Sequence, residues 1–144
     1  MVYFDTSFLV PLVLPEETSG DIVAFMIAFG ERAATTSHWT GVEFASLIAR
    51  QVRMQRIDAN AAARATAGFE SLIEGRFTVI LPGQDDFDLA RRYLAQAETG
   101  LRGGDALHLA IAANRNAERI FTLDKGFARA GGMLGLPVSG LADR

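Results

Sequence analysis

Short apolar segments alternate along this chain with longer segments that have the hydrophobic spacing of helices. Residues 1–4 are all apolar, include two aromatic side chains, and predict a short strand buried on both faces. Four later segments have a similar character. Together, the predicted strands are residues 1–4, 32–37, 76–81, 119–123 and 136–139.

The segments between these strands predict helices at residues 7–14, 21–29, 40–56, 58–74, 85–98, 105–113 and 125–130. Thr6 or Ser7 is expected to cap the first helix, where Pro11 fits only within a first turn. Gly30 ends the second helix, which is apolar on nearly every face. We expect one side of that helix to lie in the core and another to contact a partner.

Strands that alternate with helices, without a two-residue hairpin signal, are typical of an α/β protein. We predict a three-layer α/β/α sandwich with a mostly parallel central sheet. At 144 residues, the chain corresponds to one domain, residues 1–144, with a single sizeable core.

Composition narrows the class of protein further. Hydrophobic residues make up 49% of the chain, which excludes disorder, and no apolar run approaches the roughly 20 residues that span a bilayer. Asp5 interrupts the first apolar segment, which lacks a basic start, so we expect no signal peptide. The absence of cysteine excludes disulfides and thiolate metal sites and fits a reducing cytoplasm.

The charge balance excludes binding of nucleic acid by bulk attraction, because the formal net charge is −3. Lys125 is the one lysine among 14 basic residues, and the others are arginine. Any polyanionic partner must therefore meet a local arginine cluster or a bound cation. Arginine also favours planar, bidentate contacts with phosphate or carboxylate.

Four acidic residues lie at corresponding places in the predicted elements. Asp5 follows the first strand, Glu43 lies in the first turn of the helix after the second, Asp105 opens the helix before the fourth, and Asp124 ends the fourth. Ligands of open α/β sheets bind outside the carboxyl ends of the strands. If the first and fourth strands are neighbours, all four acids converge on one edge of the sheet.

Each acid also has an explanation that involves no functional site, as a residue that caps a helix or forms a turn. Asp5 and Asp105 resemble helix N-caps, residues 40–43 match a capping box, and Asp124 resembles a turn residue. The occurrence of all four acids at the same end of the sheet favours a cation-binding site, because four crowded carboxylates repel one another unless a cation compensates their charge. Oxygen ligands suit Mg²⁺ or Mn²⁺, whereas two histidines and no cysteine suit Zn²⁺ poorly. Such a site predicts metal-assisted phosphoryl transfer.

The residues around these acids closely resemble those of the PIN-domain nucleases, especially the small toxin ribonucleases of VapBC toxin–antitoxin pairs. The resemblance rests on residues 5–7, Glu43, residues 101–110 and residues 122–124, and it extends over essentially the whole chain. It implies a PIN-like fold and a Mg²⁺-dependent endoribonuclease that cleaves RNA. It also implies a homodimer inhibited by a cognate antitoxin, whose C-terminal segment covers the active groove.

By that resemblance, Asp5, Glu43, Asp105 and Asp124 are the catalytic acids. Asp5 and Asp105 are the chief metal ligands, while Glu43 and Asp124 complete the shell, directly or through water, and orient the nucleophile.

Further polar residues near the acids are candidates for substrate contacts. Ser7 and Thr6 are expected to hydrogen-bond Asp5 or a scissile phosphate, with helix capping alone as the alternative. Arg102 is the preferred candidate for contacting RNA or antitoxin. We interpret His108 as a packed supporting residue, because a metal-bound water needs no general base. Arg50 and Arg53 continue the Glu43 face; a solvated ridge of salt bridges is favoured over a phosphate grip.

There are three alternatives to a ribonuclease. A phospho-acceptor receiver domain needs an aspartate after the third strand, where residues 81–84 read Leu-Pro-Gly-Gln. A haloacid-dehalogenase-type phosphatase needs an acid where Ser7 stands. A non-catalytic binding module that keeps the fold stays open, although retention of all four acids argues against it.

Overall fold

The computed structural model of the chain describes residues 1–141, so residues 142–144 of the predicted domain lie outside the described part. Its central sheet contains β1 (Val2–Phe4), β2 (Ala34–Ser37), β3 (Phe77–Ile80), β4 (Arg119–Phe121) and β5 (Val138–Ser139). The order is β3-β2-β1-β4-β5, and every neighbouring pair is parallel. The strand next to β1 on one side is therefore β4, the arrangement on which convergence of the acids depends.

Seven α-helices connect and cover these strands within residues 1–141. They are α1 (Thr6–Leu9), α2 (Ser19–Phe29), α3 (His38–Arg53), α4 (Ala59–Arg76), α5 (Gln84–Leu94), α6 (Gly103–Asn114) and α7 (Lys125–Met133). Short 3₁₀ turns add Val10–Leu12 and Ala97–Thr99.

The two faces of the sheet carry separate hydrophobic cores, which corrects the single core expected from the length of the chain. Phe4 belongs to one core with residues of the first four helices, whereas Tyr3 belongs to the other with residues of α6 and α7. Tyr3 and Phe4 are adjacent in β1 and point to opposite faces of the sheet. Because a core covers each face, both side chains are fully buried. This confirms the predicted three-layer α/β/α sandwich.

The first helix differs from its prediction over residues 7–14. Helix α1 ends at Leu9, and the chain continues as a 3₁₀ turn in which Pro11 occupies an early position. The cap is Asp5 rather than Thr6 or Ser7, because the Asp5 carboxylate accepts a hydrogen bond from the Phe8 N–H at 3.0 Å.

Several other boundaries also shift. Helix α3 begins two residues before the predicted Thr40 and ends at Arg53, after which Gln55 adopts a positive φ of 56°. Helix α5 ends at Leu94 rather than continuing to Glu98. Strand β4 is shorter than predicted because it ends at Phe121, which leaves residues 122–124 free to form the edge of the site.

Helix α2 shows the two-sided burial expected from its composition. Ile22 and Phe29 are buried in the core, whereas Val23 is 44% and Ile27 is 75% exposed. This outward apolar face is available for a partner. Across residues 1–141, no helix combines the length and apolar character needed to cross a membrane.

Candidate active site

The pairing of β1 with β4 brings two of the predicted acids to one edge of the sheet. Phe4 pairs with Phe121, and the Asp5 N–H donates to the Phe121 carbonyl at 3.1 Å. Asp124 follows three residues after the end of β4 and caps α7. Parallel pairing therefore places carboxylates from distant parts of the chain at the same sheet edge.

Asp5 is the most buried of the four acids, with 4% of its surface exposed. Burial raises the pKa of Asp5 to about 6, against the lowering effects of the His108 charge and of hydrogen bonds from Thr122 and Ser7. The carboxylate is thus simultaneously a helix cap and a cleft residue. The N-cap explanation of Asp5 is therefore confirmed, and Asp5 also lines the cleft, as the site explanation requires.

Ser7 and Thr122 fix the orientation of Asp5. Ser7 Oγ lies 2.8 and 3.0 Å from the two carboxylate oxygens, and Thr122 Oγ1 donates to Oδ2 at 2.8 Å. The two hydroxyls are 3.1 Å apart, and Ser7 Oγ also accepts the Leu123 N–H at 2.9 Å. These contacts join the carboxyl ends of β1 and β4, and they show the predicted hydrogen bond between Ser7 and Asp5.

Glu43 points into the site rather than back toward the start of its helix. The capping box predicted for residues 40–43 is wrong, because Ser37 occupies the cap position and Thr40 instead lies 2.7 Å from Thr36, hydroxyl to hydroxyl. Glu43 Oε2 accepts a hydrogen bond from the Thr6 hydroxyl and lies 2.6 Å from His108 Nε2. Its carboxylate is therefore held by α1 and α6.

His108 connects Glu43 with the buried end of β1. The ring is 1% exposed, and its Nδ1 atom lies 2.7 Å from the Tyr3 hydroxyl, which also hydrogen-bonds Ser37 at 2.9 Å. Burial acts to raise the pKa of Glu43, but the hydrogen bond and charge of His108 outweigh it and keep that pKa below its usual value. His108 thus supports an ionised Glu43, as expected for a packed residue.

Asp105 lies inside the first turn of α6 rather than at its cap, which corrects the N-cap explanation. Arg102 occupies the cap position, and its guanidinium contacts Asp105 Oδ2 at 3.1 Å and Asp124 Oδ2 at 2.9 Å. The hydrogen bond and charge of Asp105, with the charge of Asp124, raise the pKa of Arg102. Its side chain is 74% exposed, so the bridge between Asp105 and Asp124 lies on the solvent side of the site.

A single cleft of about 570 Å³ contains all four acids together with Ser7 and Arg102. Every site residue predicted from sequence therefore lies on one surface. The sequence indicates a bond between Thr122 and Asp124, and the Asp124 N–H donates to Thr122 Oγ1 at 3.0 Å. The contact of Thr122 with Asp5 and the supporting roles of Tyr3 and Gly104 were not predicted. The role of Tyr3 depends on a contact 105 residues away.

The donor set fits a hard divalent cation. Asp5, Glu43, Asp105 and Asp124 offer carboxylate oxygens to one cleft, and oxygen ligands suit Mg²⁺ or Mn²⁺. Within residues 1–141, no three acidic or histidine side chains form a ready-made metal shell, since Glu43 turns toward His108 and Arg102 bridges the other two. An ion held by one or two carboxylates and otherwise by water matches the preference of Mg²⁺.

Comparison with protein families assigns this architecture. The PIN domain family matches residues 2–133. The chain belongs to the PIN domain family. No curated protein matches the chain as a whole or in part.

Solved structures share this PIN fold at low sequence identity. The VapC20 toxin of Mycobacterium tuberculosis, described as cleaving the sarcin–ricin loop, is 18% identical with a TM-score of 0.73, covering 91% of this chain and 95% of that one. VapBC2 of Rickettsia felis, bound to a promoter DNA fragment, is 14% identical with a TM-score of 0.72, covering 97% and 98%. A toxin–antitoxin complex from Klebsiella pneumoniae is 21% identical with a TM-score of 0.61, covering 100% of both chains.

Proposed function

We propose that this PIN domain is a Mg²⁺-dependent endoribonuclease and the toxin component of a type II toxin–antitoxin system. The observation that carries the proposal is the cleft in which Asp5, Glu43, Asp105 and Asp124 meet at the carboxyl edge of the sheet. The resemblance of this chain to VapC-type toxins around these four acids supports RNA as the substrate.

The four acids would have different roles in the reaction. Asp5 and Asp105 would hold Mg²⁺, with Mn²⁺ as a substitute, because Asp5 is buried and rigidly oriented while Asp105 lies at the start of α6. When bound, the ion would polarise the scissile phosphate, acidify a water molecule and neutralise the leaving oxygen. Glu43, kept ionised by His108, would complete the metal shell, directly or through water, and orient the attacking water.

The remaining site residues would complete the metal shell or contact the substrate. Asp124 would contribute an oxygen directly or through water, because its Oδ1 is committed to the Gly126 and Phe127 amides and its Oδ2 faces Arg102. Arg102 would exchange its carboxylate partners for a phosphate of RNA or an acidic group of the antitoxin. Ser7 would position Asp5 and approach the scissile phosphate.

The proposed toxin would function in the cytoplasm as a homodimer that a cognate antitoxin inhibits. The exposed apolar face of α2, with Val23 and Ile27, supports a protein partner. A gene for a small partner protein beside this one would support the toxin assignment over a housekeeping nuclease.

The proposal is tested by sequencing RNA ends after brief expression of the wild type and of the Asp5→Asn variant. New ends at defined positions are expected with the wild type alone, and purified protein should reproduce those cuts only with Mg²⁺ or Mn²⁺. Equal cleavage by both proteins would refute the assigned site. Tight RNA binding without any cleavage by the wild type would instead identify a non-catalytic PIN-fold binding module.

A further inference from the structure

The acidic cleft continues along one face of α3 beyond the four carboxylates. The α3 residues lining it recur at intervals of three and four positions, which define one stripe of a helix. They are Trp39, Val42, Glu43, Ser46, Leu47, Arg50 and Arg53. The cleft therefore has an acidic end around Glu43 and a basic end at the C-terminal part of α3.

The two arginines at the basic end are exposed and have no acidic partner. Within residues 1–141, neither guanidinium forms a salt bridge or a side-chain hydrogen bond, in contrast to Arg102 in the same cleft. The ridge of salt bridges favoured from the sequence is therefore absent for Arg50 and Arg53. Two unpaired cations that share a groove with a carboxylate site form a surface complementary to an anion lying along it.

We propose that Arg50 and Arg53 form a phosphate-binding arm that holds the sugar–phosphate backbone of single-stranded RNA next to the point of cleavage. This inference rests on the proposed function, since it names the path of the substrate through the same cleft. Each arginine takes a phosphate one or more nucleotides away from the scissile bond. The arm supplies affinity and register and does not read the base sequence.

Helix geometry sets the spacing of this arm. Arg50 lies seven residues and Arg53 ten residues after Glu43, which corresponds to about 10 Å and about 15 Å along the helix axis. Both arginines lie beyond the reach of the reacting phosphate, but successive phosphates of an extended strand can meet them in turn. The chain has a formal net charge of −3, so this local pair, rather than bulk charge, must attract a polyanion at that end.

The backbone of RNA fits these residues better than a protein segment does. Guanidinium groups bind phosphate in a planar, bidentate manner, and their regular spacing on one helix matches a ligand with regularly repeated charge. An acidic protein segment is the competing occupant, and the experiment separates the two.

The test measures binding of a single-stranded RNA oligonucleotide in the presence of a chelator, which prevents the proposed metal-dependent cleavage, at several salt concentrations. The Arg50→Ala/Arg53→Ala double variant is expected to weaken binding roughly tenfold at low salt. Its slope of log affinity against log salt should fall by about 0.7 for each lost phosphate contact. Arg50→Lys/Arg53→Lys should keep most of the slope because it keeps both charges.

Arg92→Ala is the matched control, because Arg92 is equally exposed but lies on α5 outside the cleft. It should leave affinity and slope unchanged. An unchanged slope and affinity in the double alanine variant would overturn the proposal, as would an equal loss in Arg92→Ala. Loss of binding to a polyglutamate peptide with unchanged RNA binding would also overturn it and assign the arm to a protein partner.

Cleavage of a natural RNA by the wild type and Asp5→Asn is measured in parallel, so that the two proposals fail separately. Cleavage that depends on Asp5, together with normal RNA binding by the double alanine variant, refutes the arm alone. No cleavage by the wild type, together with the expected change in salt slope, refutes the ribonuclease assignment and leaves an RNA-binding groove.

Discussion

Gly104 lies so close to Glu43 that a β carbon at position 104 would stand 2.6 Å from Glu43 Oε1. The same β carbon would lie 3.2 Å from Nε1 of Trp39. The first turn of α6 therefore approaches α3 so closely that a side chain at position 104 requires the Glu43 carboxylate to move. This contact brings Asp105, the next residue of α6, to the same cleft as Glu43.

Gly104→Ala is accordingly expected to push the Glu43 carboxylate out of place. A displacement of about 1 Å at a catalytic group can lower the rate roughly 100-fold, so we expect RNA cleavage to fall by that order. Steady-state cleavage with Mg²⁺ and the circular dichroism spectrum, compared with wild type, measure the activity and the fold.

The adjacent glycine provides the control for that substitution. A β carbon on Gly103 would have nothing within 4 Å, and Gly103 is also in the first turn of α6. Gly103→Ala should keep wild-type cleavage and stabilise the protein by about 0.5 kcal/mol, since alanine restricts the unfolded chain. Equal activity losses in the two variants would show that the contact with Glu43 is not the cause.

Asp5→Asn should make the metal-free protein more stable at neutral pH. Because the folded state raises the pKa of Asp5 to about 6, it binds the proton more tightly than the unfolded chain. Asp5 thus contributes stability below its ordinary pKa near 4, and that contribution is lost as pH rises through about 6. The loss is on the order of 3 kcal/mol.

Thermal unfolding between pH 4 and pH 8 in the presence of a chelator measures this effect. The wild type should lose stability relative to Asp5→Asn as the pH rises, and Mg²⁺ should restore the wild type alone. Parallel pH profiles for the two proteins would contradict the raised pKa. An equal Mg²⁺ response would show that Asp5 is not a ligand.

The strand and helix pattern was readable from the sequence because each element is built from local signals. The order of the strands does not follow from local signals. Convergence of the four acids requires β1 to lie beside β4, and the sequence did not predict that pairing. That pairing joins Phe4 to Phe121, 117 positions apart in the chain. The four acids were found before the sheet order because each follows or opens an element.

The supporting contacts of the site could not be derived in the same way. Residues 40–43 satisfy the local pattern of a capping box, yet tertiary contacts with Thr6 and His108 determine where Glu43 points. The Tyr3 hydroxyl is another case, because its position in an apolar strand suggests only core packing. Its partners, Ser37 and His108, come from two other elements.

His108→Leu should shift the acidic limb of the pH–rate profile to higher pH. Burial raises the pKa of Glu43, whereas the hydrogen bond and charge of His108 lower it. The His108→Leu substitution removes both lowering effects. The pKa values of Glu43 and of Asp5, which the charge of His108 also lowers, therefore rise, and a higher pH is needed to ionise both carboxylates. We also expect a stability loss of about 2 kcal/mol, because buried polar groups lose a partner.

Tyr3→Phe separates these two effects. It removes the hydrogen bond to His108 Nδ1 but keeps the contact between His108 and Glu43. It should destabilise the protein by about 1 kcal/mol while leaving the acidic limb where it is in wild type. An equal shift of the limb in both variants would argue that the ring acts only through packing.

Arg102→Ala should separate substrate binding from metal binding. Arg102 bridges Asp105 and Asp124, so its loss removes a cation that competes with Mg²⁺ for the same oxygens. We expect the Mg²⁺ concentration for half-maximal cleavage to fall several-fold, while KM for RNA rises roughly tenfold because a phosphate contact is lost. Arg102→Lys should restore only part of the RNA affinity, since an ammonium cannot make the bidentate contact. Unchanged RNA cleavage together with unchanged antitoxin affinity in Arg102→Ala would remove Arg102 from both roles.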